Sequence, residues 1–429
     1  MIGIIGGGIT GLSLAKILQR NHIQSIVFES DNIGGKIRTI YRSYKGKDYF
    51  IELGPDSIVF EESKISQIHQ FLPGLFENKN FIKLNRVYVL LDDRIGLFPN
   101  SWFEFIQTSL IPTNQKLKLV YRLLFNLFKS DQSGKDLDCT LDEYCYRRFD
   151  RVFCDRIIFP LFETVFGIPC SRLVTKFVYP YLSKFRAGVY KPTKMFNHPK
   201  GLNFLVENFL SKGLQILKER ITSVRHLEDG FLLNEKYKVD KLVFTGDAMS
   251  IRSLVNSIST NSSELSNLLS SFYERLSKIS YHSAFIDIFV LNNLISFKAS
   301  GIIFKTSLYP NLKSITFFSK KWYSNYEVEI LRIFSDGCGF EKILNQLSDF
   351  FGRLGYEFEG NIVDHIRIDW VNSLLDYDRF YFNVLEDLKV IARKLQNWKI
   401  YILGSFLEGT SIVDRIIASI KFYKLLTSK

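Results

Sequence analysis

The feature that most constrains this chain is a glycine run near its start, Gly6-Gly7-Gly8-Ile9-Thr10-Gly11, set between two apolar segments of different period. Ile2 to Ile5 reads as a short strand, and Leu12 to Leu18 places apolar residues at helical spacing. Ser25 to Glu29 reads as the next strand, so the opening segment spells strand, glycine turn, helix, strand. Within the G-x-G-x-x-G pattern each glycine has a mechanical reason. Gly6 permits the tight turn, Gly8 lets a pyrophosphate approach the backbone, and Gly11 lets helix and strand pack closely. The helix that opens around Thr10 offers free N–H groups and a positive dipole end to phosphates. Glu29 ends the second strand, where its carboxylate can accept hydrogen bonds from the ribose hydroxyls of an adenosine. The context required of a dinucleotide-binding unit is therefore present.

That unit alone does not separate NAD from FAD. A second glycine pair, Gly34-Gly35, follows Glu29 closely and is succeeded by Lys36. The nicotinamide fingerprint has no such requirement, whereas two further glycines let another stretch of backbone reach the same pyrophosphate, with Lys36 supplying charge. The pair leans towards FAD. The far end of the chain returns to the same architecture: Lys399 to Leu403 reads as a strand, Gly404 to Gly409 as a loop, and Val413 to Leu426 as a helix. Such a loop would aim N–H groups at an isoalloxazine or ribityl chain, with Asp414 near the helix start. A plain strand-turn-helix is the alternative.

A chain of 429 residues holds two packed domains. An apolar share of 46% and a charged share of 23% exclude disordered and fibrous classes. Lysine and arginine exceed aspartate and glutamate by 56 − 44 = 12, which fits an anionic ligand, an anionic membrane or nucleic acid without choosing among them. Five cysteines without CxxC spacing suggest neither zinc nor a disulfide framework, and a reducing compartment fits. No signal peptide is expected, and no apolar run reaches the 18 or so residues needed to span a bilayer. Residues 140 to 165 read as helix, and 220 to 245 and 280 to 335 as hairpins and meanders. Asn114 to Lys129, with Leu117, Val120, Leu123, Leu124 and Leu127 among basic residues, has the pattern of a basic amphipathic helix.

Glu29 to Thr39, followed by Phe50-Ile51-Glu52-Leu53-Gly54-Pro55-Asp56-Ser57, resembles the flavin amine oxidase superfamily and, within it, the protoporphyrinogen oxidases. Further matches are Ile157 to Pro160, then Gly167, Pro169 and Leu173, then Lys200-Gly201-Leu202 with Leu205. Ile221 to Val224 resembles the family strand whose valine lies against the adenine, and Leu403 to Gly409 its closing flavin loop. The resemblance implies cofactor contacts at Gly54, Pro55, Asp56, Ser57 and Val224 as well as at the glycine segments. It also implies a hydrophobic substrate such as a porphyrinogen, oxidised by hydride transfer to flavin. The segment between Glu29 and the glycine pair is one residue shorter than the family form, Asn32 stands where an arginine is common, and Ile420 stands where glycine is usual. These departures indicate a divergent member.

Asn85 to Val89, closing on Leu97-Phe98-Pro99, resembles the hairpin on which protoporphyrinogen oxidases carry an arginine facing a substrate carboxylate. Arg86 is that candidate; a solvated arginine at a strand start is the alternative. Trp102 to Lys129 adds aromatic residues to the basic helix and reads either as a membrane-interface segment or as a helix packed on its own domain. No triad or metal cluster is visible among the histidines, which fits flavin chemistry, where protein groups bind, orient and tune the cofactor.

The expected fold is α/β. A Rossmann-like FAD-binding domain (1–80, 200–255 and 385–429) is interleaved with an α+β substrate domain (81–199 and 256–384). Catalytic residues are not assigned and no metal or nucleic acid is expected. The place expected is the cytoplasm, with the inner face of a membrane as the site of any peripheral contact. Amine oxidase or desaturase activity, and a flavin-binding protein without catalysis, are the alternatives.

Overall fold

A computed structural model of the chain describes residues 1–82, 85–117, 137–186, 194–210, 213–293, 295–322 and 326–428. Its organising element is a five-stranded parallel sheet in the order Ile216–Leu217, Ser25–Phe28, Ile2–Ile5, Lys241–Phe244, Ile400–Ile402. Such strands must be covered on both faces, and their near-continuous apolar sequences reflect that. Ile4, Val27 and Val243 pack against Leu14 and Leu18 of helix Ile9–Arg20 and Phe422 of helix Ile412–Thr427. Phe28, Leu242 and Phe244 turn the other way, towards helices Ser263–Leu276 and Arg379–Leu395. Helix Ser263–Leu276 thus packs with the parallel sheet, although it lies beyond the boundary at 255 drawn from sequence. Val224–Leu227, Gly230–Leu233 and Tyr237–Val239 form the expected meander, but Lys241–Phe244 leaves it for the parallel sheet. A fully buried strand reads alike in either setting.

The second large element is a seven-stranded sheet in the order Ile362–Leu375, Tyr281–Leu291, Glu329–Ser335, Leu312–Phe317, Gly301–Lys305, Val87–Leu91, Ile95–Leu97. All its pairings are antiparallel except that of Gly301–Lys305 with Val87–Leu91. One face, through Phe289, Leu331, Ile333 and Phe304, packs on Leu347, Phe350 and Phe351 of helix Phe340–Arg353. The other does two jobs. Ile286, Ile288 and Ile330 meet Tyr49, Phe50 and Ile51 of hairpin Thr39–Tyr44/Lys47–Glu52, while Val89, Leu91 and Ile303 meet helices Leu141–Arg148, Phe159–Phe166 and Thr175–Arg186.

The helical reading of 140 to 165 holds with a break after Arg148, where Asp150 accepts a hydrogen bond from Val152 N and starts a new helix. Pro160 falls in the first turn of Phe159–Phe166, and Gly167, at φ +73°, ends it in the left-handed conformation. The meander read over 280 to 335 is interrupted by helix Phe318–Trp322. Of the basic helix read over 114 to 129, residues up to 117 are helical and the rest lies outside the described residues.

Candidate functional site

The glycine turn carries the geometry its spacing required. Gly6 adopts φ +112°, and the Thr245 hydroxyl, arriving on the neighbouring strand, donates to Ile5 O at 3.0 Å and Gly6 O at 2.9 Å. A Cβ on Gly11 would lie 1.9 Å from Gly6 O, so the bare backbone there lets the helix start directly on the strand. Gly8 differs, because a Cβ there would meet nothing within 4 Å. The protein's own packing does not demand glycine at that position; the open space above it is the kind of cradle a ligand fills. Helix Ile9–Arg20, which opens on Gly8, has neither a side-chain cap nor an acidic residue in its first turn. Its N–H groups and positive end are left to an anion.

The second glycine pair is laid alongside the first turn. Gly34 N donates to Gly7 O at 2.8 Å, and Gly34 and Gly35 take φ +98° and +61°. Glu29 ties the first turn to the loop that follows its own strand, its Oε2 accepting from Gly7 N at 2.5 Å and its Oε1 from Asp31 N at 2.7 Å. Each carboxylate oxygen has capacity for a further donor, so a ribose hydroxyl can be added to this clamp. Asn32 turns to Asp31, at 2.9 Å. Lys36 Nζ donates to Ser373 O. Its side chain stays accessible to solvent while burial among surrounding protein lowers its pKa, opposed by Asp247.

The segment Gly54 to Ser57 is held from the seven-stranded sheet and from helix Phe318–Trp322. Arg332 Nη2 donates to Gly54 O at 2.6 Å, and Asp56 is paired with Lys321 at 2.8 Å and Arg332 at 3.4 Å. Burial works against the Asp56 charge, but the two cations outweigh it and bring the pKa down to about 2. Pro55 and Ser57 are half-buried beside it, the Ser57 hydroxyl donating to Asp56 at 2.9 Å. Glu52 goes the other way. Its carboxylate accepts from Leu202 N at 2.6 Å, Thr39 Oγ1 at 2.8 Å and Asn197 Nδ2 at 3.4 Å, yet burial prevails and pushes it up to about 7. These carboxyl groups tie the hairpin, the Gly201 turn and the sheet together.

Val224 is buried beside Phe28 in the core cluster under the parallel sheet. At the other end of the chain Gly404 follows strand Ile400–Ile402, and Gly409 takes φ +105°. The intervening loop contains a short helical turn, Ser405–Glu408. Asp414 is engaged by its own surroundings, with the Ser411 hydroxyl at 2.6 Å and Lys64 at 2.8 Å. The structure therefore gives it an ion-pairing role at the helix start, where Ser411 is the cap.

Arg86 is not brought to the other candidates. It precedes Val87–Leu91 in the expected hairpin, with Tyr88 opposite Leu97, but its guanidinium turns to Tyr88 Oη at 3.4 Å. Tyr88 packs with Phe297 in the cluster around helix Phe340–Arg353. The cation on the face towards the glycine segments is Arg332, aligned across the sheet with Thr316, Gly301 and Val87. Sequence reasoning passed over Arg332 because its partners, Gly54 and Asp56, are remote in the chain.

Residues 9–279 match the family model described as flavin-containing amine oxidoreductase. The chain belongs to this family. Among curated relatives it is 30% identical over 189 residues to the coproporphyrinogen III oxidase of Staphylococcus aureus (strain NCTC 8325 / PS 47), covering 42% of this chain and 39% of that protein. It is 25% identical over 274 residues to the coproporphyrinogen III oxidase of Bacillus subtilis (strain 168), covering 58% and 55%. The matched stretches thus span about two fifths to just over half of those relatives. A solved structure from Exiguobacterium sp. 255-15, proposed to be a protoporphyrinogen oxidase, superposes with a TM-score of 0.78 at 18% identity, covering 100% of this chain and 99% of that one. Cyclohexylamine oxidase from Brevibacterium oxydans IH-35A superposes at 0.70 with 11% identity, covering 100% and 98%. These two show a shared fold.

A flavin-containing oxidoreductase needs a site for a flavin, and the residues here fit one. Gly8, the uncapped start of the first helix and the Gly34-Gly35 pair would hold phosphate oxygens; Glu29 would hold a ribose; Lys36 would add charge next to the pair. When bound, the flavin supplies a two-electron acceptor. The protein's part is to hold it, to orient a substrate and to exclude water. Ile420, the departure from the family glycine, is fully buried among Leu12, Ile416 and Leu205 and serves as core.

Proposed function

We propose that the chain is an FAD-dependent oxidoreductase that accepts hydride from a hydrophobic substrate of the porphyrinogen type. The observation that carries the dinucleotide is the uncapped helix start beneath open space at Gly8, with Glu29 at the next strand end. Support for the substrate class comes from the coproporphyrinogen and protoporphyrinogen oxidases among the relatives. In this reading the segments near 1–80, 200–255 and 385–429 build the cofactor unit, since the parallel strands all fall in them. The seven-stranded sheet and the helices of 137–186 build the substrate unit.

The test is direct. Purified protein should be yellow and release FAD on acid treatment, and anaerobic mixing with coproporphyrinogen or protoporphyrinogen should bleach the flavin. Bleaching by amines or polyenes instead would move the substrate to another branch of the family. Recovery of folded protein that takes up no FAD would sink the proposal as a whole.

A further inference from the structure

The cradle over Gly8 continues, contact by contact, into the seven-stranded sheet. A Cβ on Gly35 would lie 3.3 Å from Gly8 Cα, so the glycine pair rests directly on the first turn. Lys36 follows the pair. A Cβ on Gly54 would lie 1.8 Å from Lys36 O, and Leu53 N donates to Arg38 O at 2.9 Å, so the segment Gly54 to Ser57 packs on the pair without a gap. From the far side Arg332 Nη2 donates to Gly54 O at 2.6 Å, and Nη1 lies 3.4 Å from Asp56, whose second cation, Lys321, is at 2.8 Å. With Glu29 at the adenosine end, the opposite end of a dinucleotide has to leave the cradle towards the substrate unit. Gly54 to Ser57 is a segment that joins the two.

Charge in this cluster does not cancel. Two cations face one carboxylate, and the side chains of Arg332, Lys321 and Asp56 are only 3%, 14% and 12% exposed, so salt screens them weakly. Arg332 alone would match Asp56; Lys321 is what leaves the cluster positive. Glu52, which also feels Arg332, holds its proton up to about pH 7 and adds no charge below it. When a hydride moves from substrate to flavin, the substrate gives up two electrons and a proton, and the flavin gains one negative charge. We infer that the Arg332–Asp56–Lys321 cluster tunes the flavin, its net positive field favouring the reduced state, with Arg332 as the positioning residue that fixes the intervening segment; this rests on the flavoprotein reading above. Charge placed near a flavin is one of a protein's means of setting its electronics.

The test is the midpoint potential of the bound flavin at about pH 6, below the Glu52 transition, read spectroscopically against a two-electron reference dye in full-length holoproteins. A unit charge roughly 10 Å away at an effective dielectric of about 20 changes such an equilibrium about tenfold, which is about 30 mV for two electrons. Arg332→Gln and Lys321→Gln should each lower the potential by about that much, and Asp56→Asn should raise it. Opposite signs separate charge from packing, because a segment merely loosened would shift all three variants the same way. Arg332→Lys, which keeps the charge without the fork on Gly54 O, should recover most of the potential. Lys321→Gln leaves the Arg332–Gly54 hydrogen bond in place and so reports charge even where Arg332→Gln folds poorly. Shifts of one sign in Lys321→Gln and Asp56→Asn, or no shift in either, would make the cluster a structural brace and overturn the inference. A wild-type chain that takes up no FAD would instead remove the reading on which it rests.

Discussion

Glu52 and Asp56 lie four positions apart in sequence and are tuned in opposite directions by their surroundings. Both are taken out of water, but Asp56 gains two cations, Arg332 from the seven-stranded sheet and Lys321 from helix Phe318–Trp322, whereas Glu52 gains neutral donors and a weaker influence from Arg332. The consequence for stability has a definite sign. The folded pKa of Glu52, about 7, lies above its ordinary 4.5, so the folded chain holds this proton more tightly than the unfolded chain does. Its favourable contribution is complete below about pH 4.5 and is lost as pH rises through about 7, a change of about 3 kcal/mol at most. Glu52→Gln does not titrate. The stability of wild type relative to Glu52→Gln, from urea unfolding, should therefore fall between about pH 5 and about pH 8. A difference that stays constant over that range would show that Glu52 is not proton-coupled.

The elements around the glycine turn make a sharper distinction than their shared residue type suggests. Gly11 is glycine because the protein's own backbone leaves no room, with Gly6 O 1.9 Å from a Cβ position. Gly8 faces open space and has an ordinary φ of −75°. Gly11→Ala should accordingly lose about 1–3 kcal/mol of stability through overpacking. Gly8→Ala should unfold within about 0.5 kcal/mol of wild type but bind FAD more weakly by on the order of tenfold or more, because its methyl group enters the cradle. Paired thermal unfolding and FAD titration distinguish them; equal stability losses in both would mean that the space over Gly8 holds no ligand. The last helix reads in the same way. Ser419 approaches Thr10 closely enough to hydrogen-bond across the helix pair, and Ile420 fills the adjoining core.

At the scale of the molecule, no helix among the described residues is long and apolar enough to cross a membrane, and any membrane contact rests on the surface near helix Trp102–Gln107. Phe103, Ile106 and Leu117 are exposed there. Lys116, one of the basic residues expected to face headgroups, instead donates to Ile106 O at 2.6 Å and Thr108 O at 2.7 Å and closes that helix. Lys118 and Arg122 lie outside the described residues. We therefore place the prediction on the apolar side chains: Phe103→Ser with Ile106→Ser should lower co-sedimentation with anionic vesicles and leave FAD content unchanged, each buried side chain contributing about 1.5–3 kcal/mol. If wild type ignores such vesicles at low ionic strength, the patch has another role.

Local patterns in the sequence were enough to determine the dinucleotide turn, the strand bearing Glu29, the second glycine pair and the returning strand and helix at the end of the chain. Each of these depends on residues within a few positions of one another, where backbone conformation and period dictate the outcome. Tertiary structure alone decided which side chains those motifs face. Arg332 reaches Gly54 and Asp56 from a strand far along the chain, Asp414 is taken by Lys64, and Arg86 turns to Tyr88 on the opposite face of the sheet from Arg332. An isolated arginine or aspartate has no period and no spacing to read. Its partner is set by sheet register and helix packing, which arise from burial summed over the whole molecule.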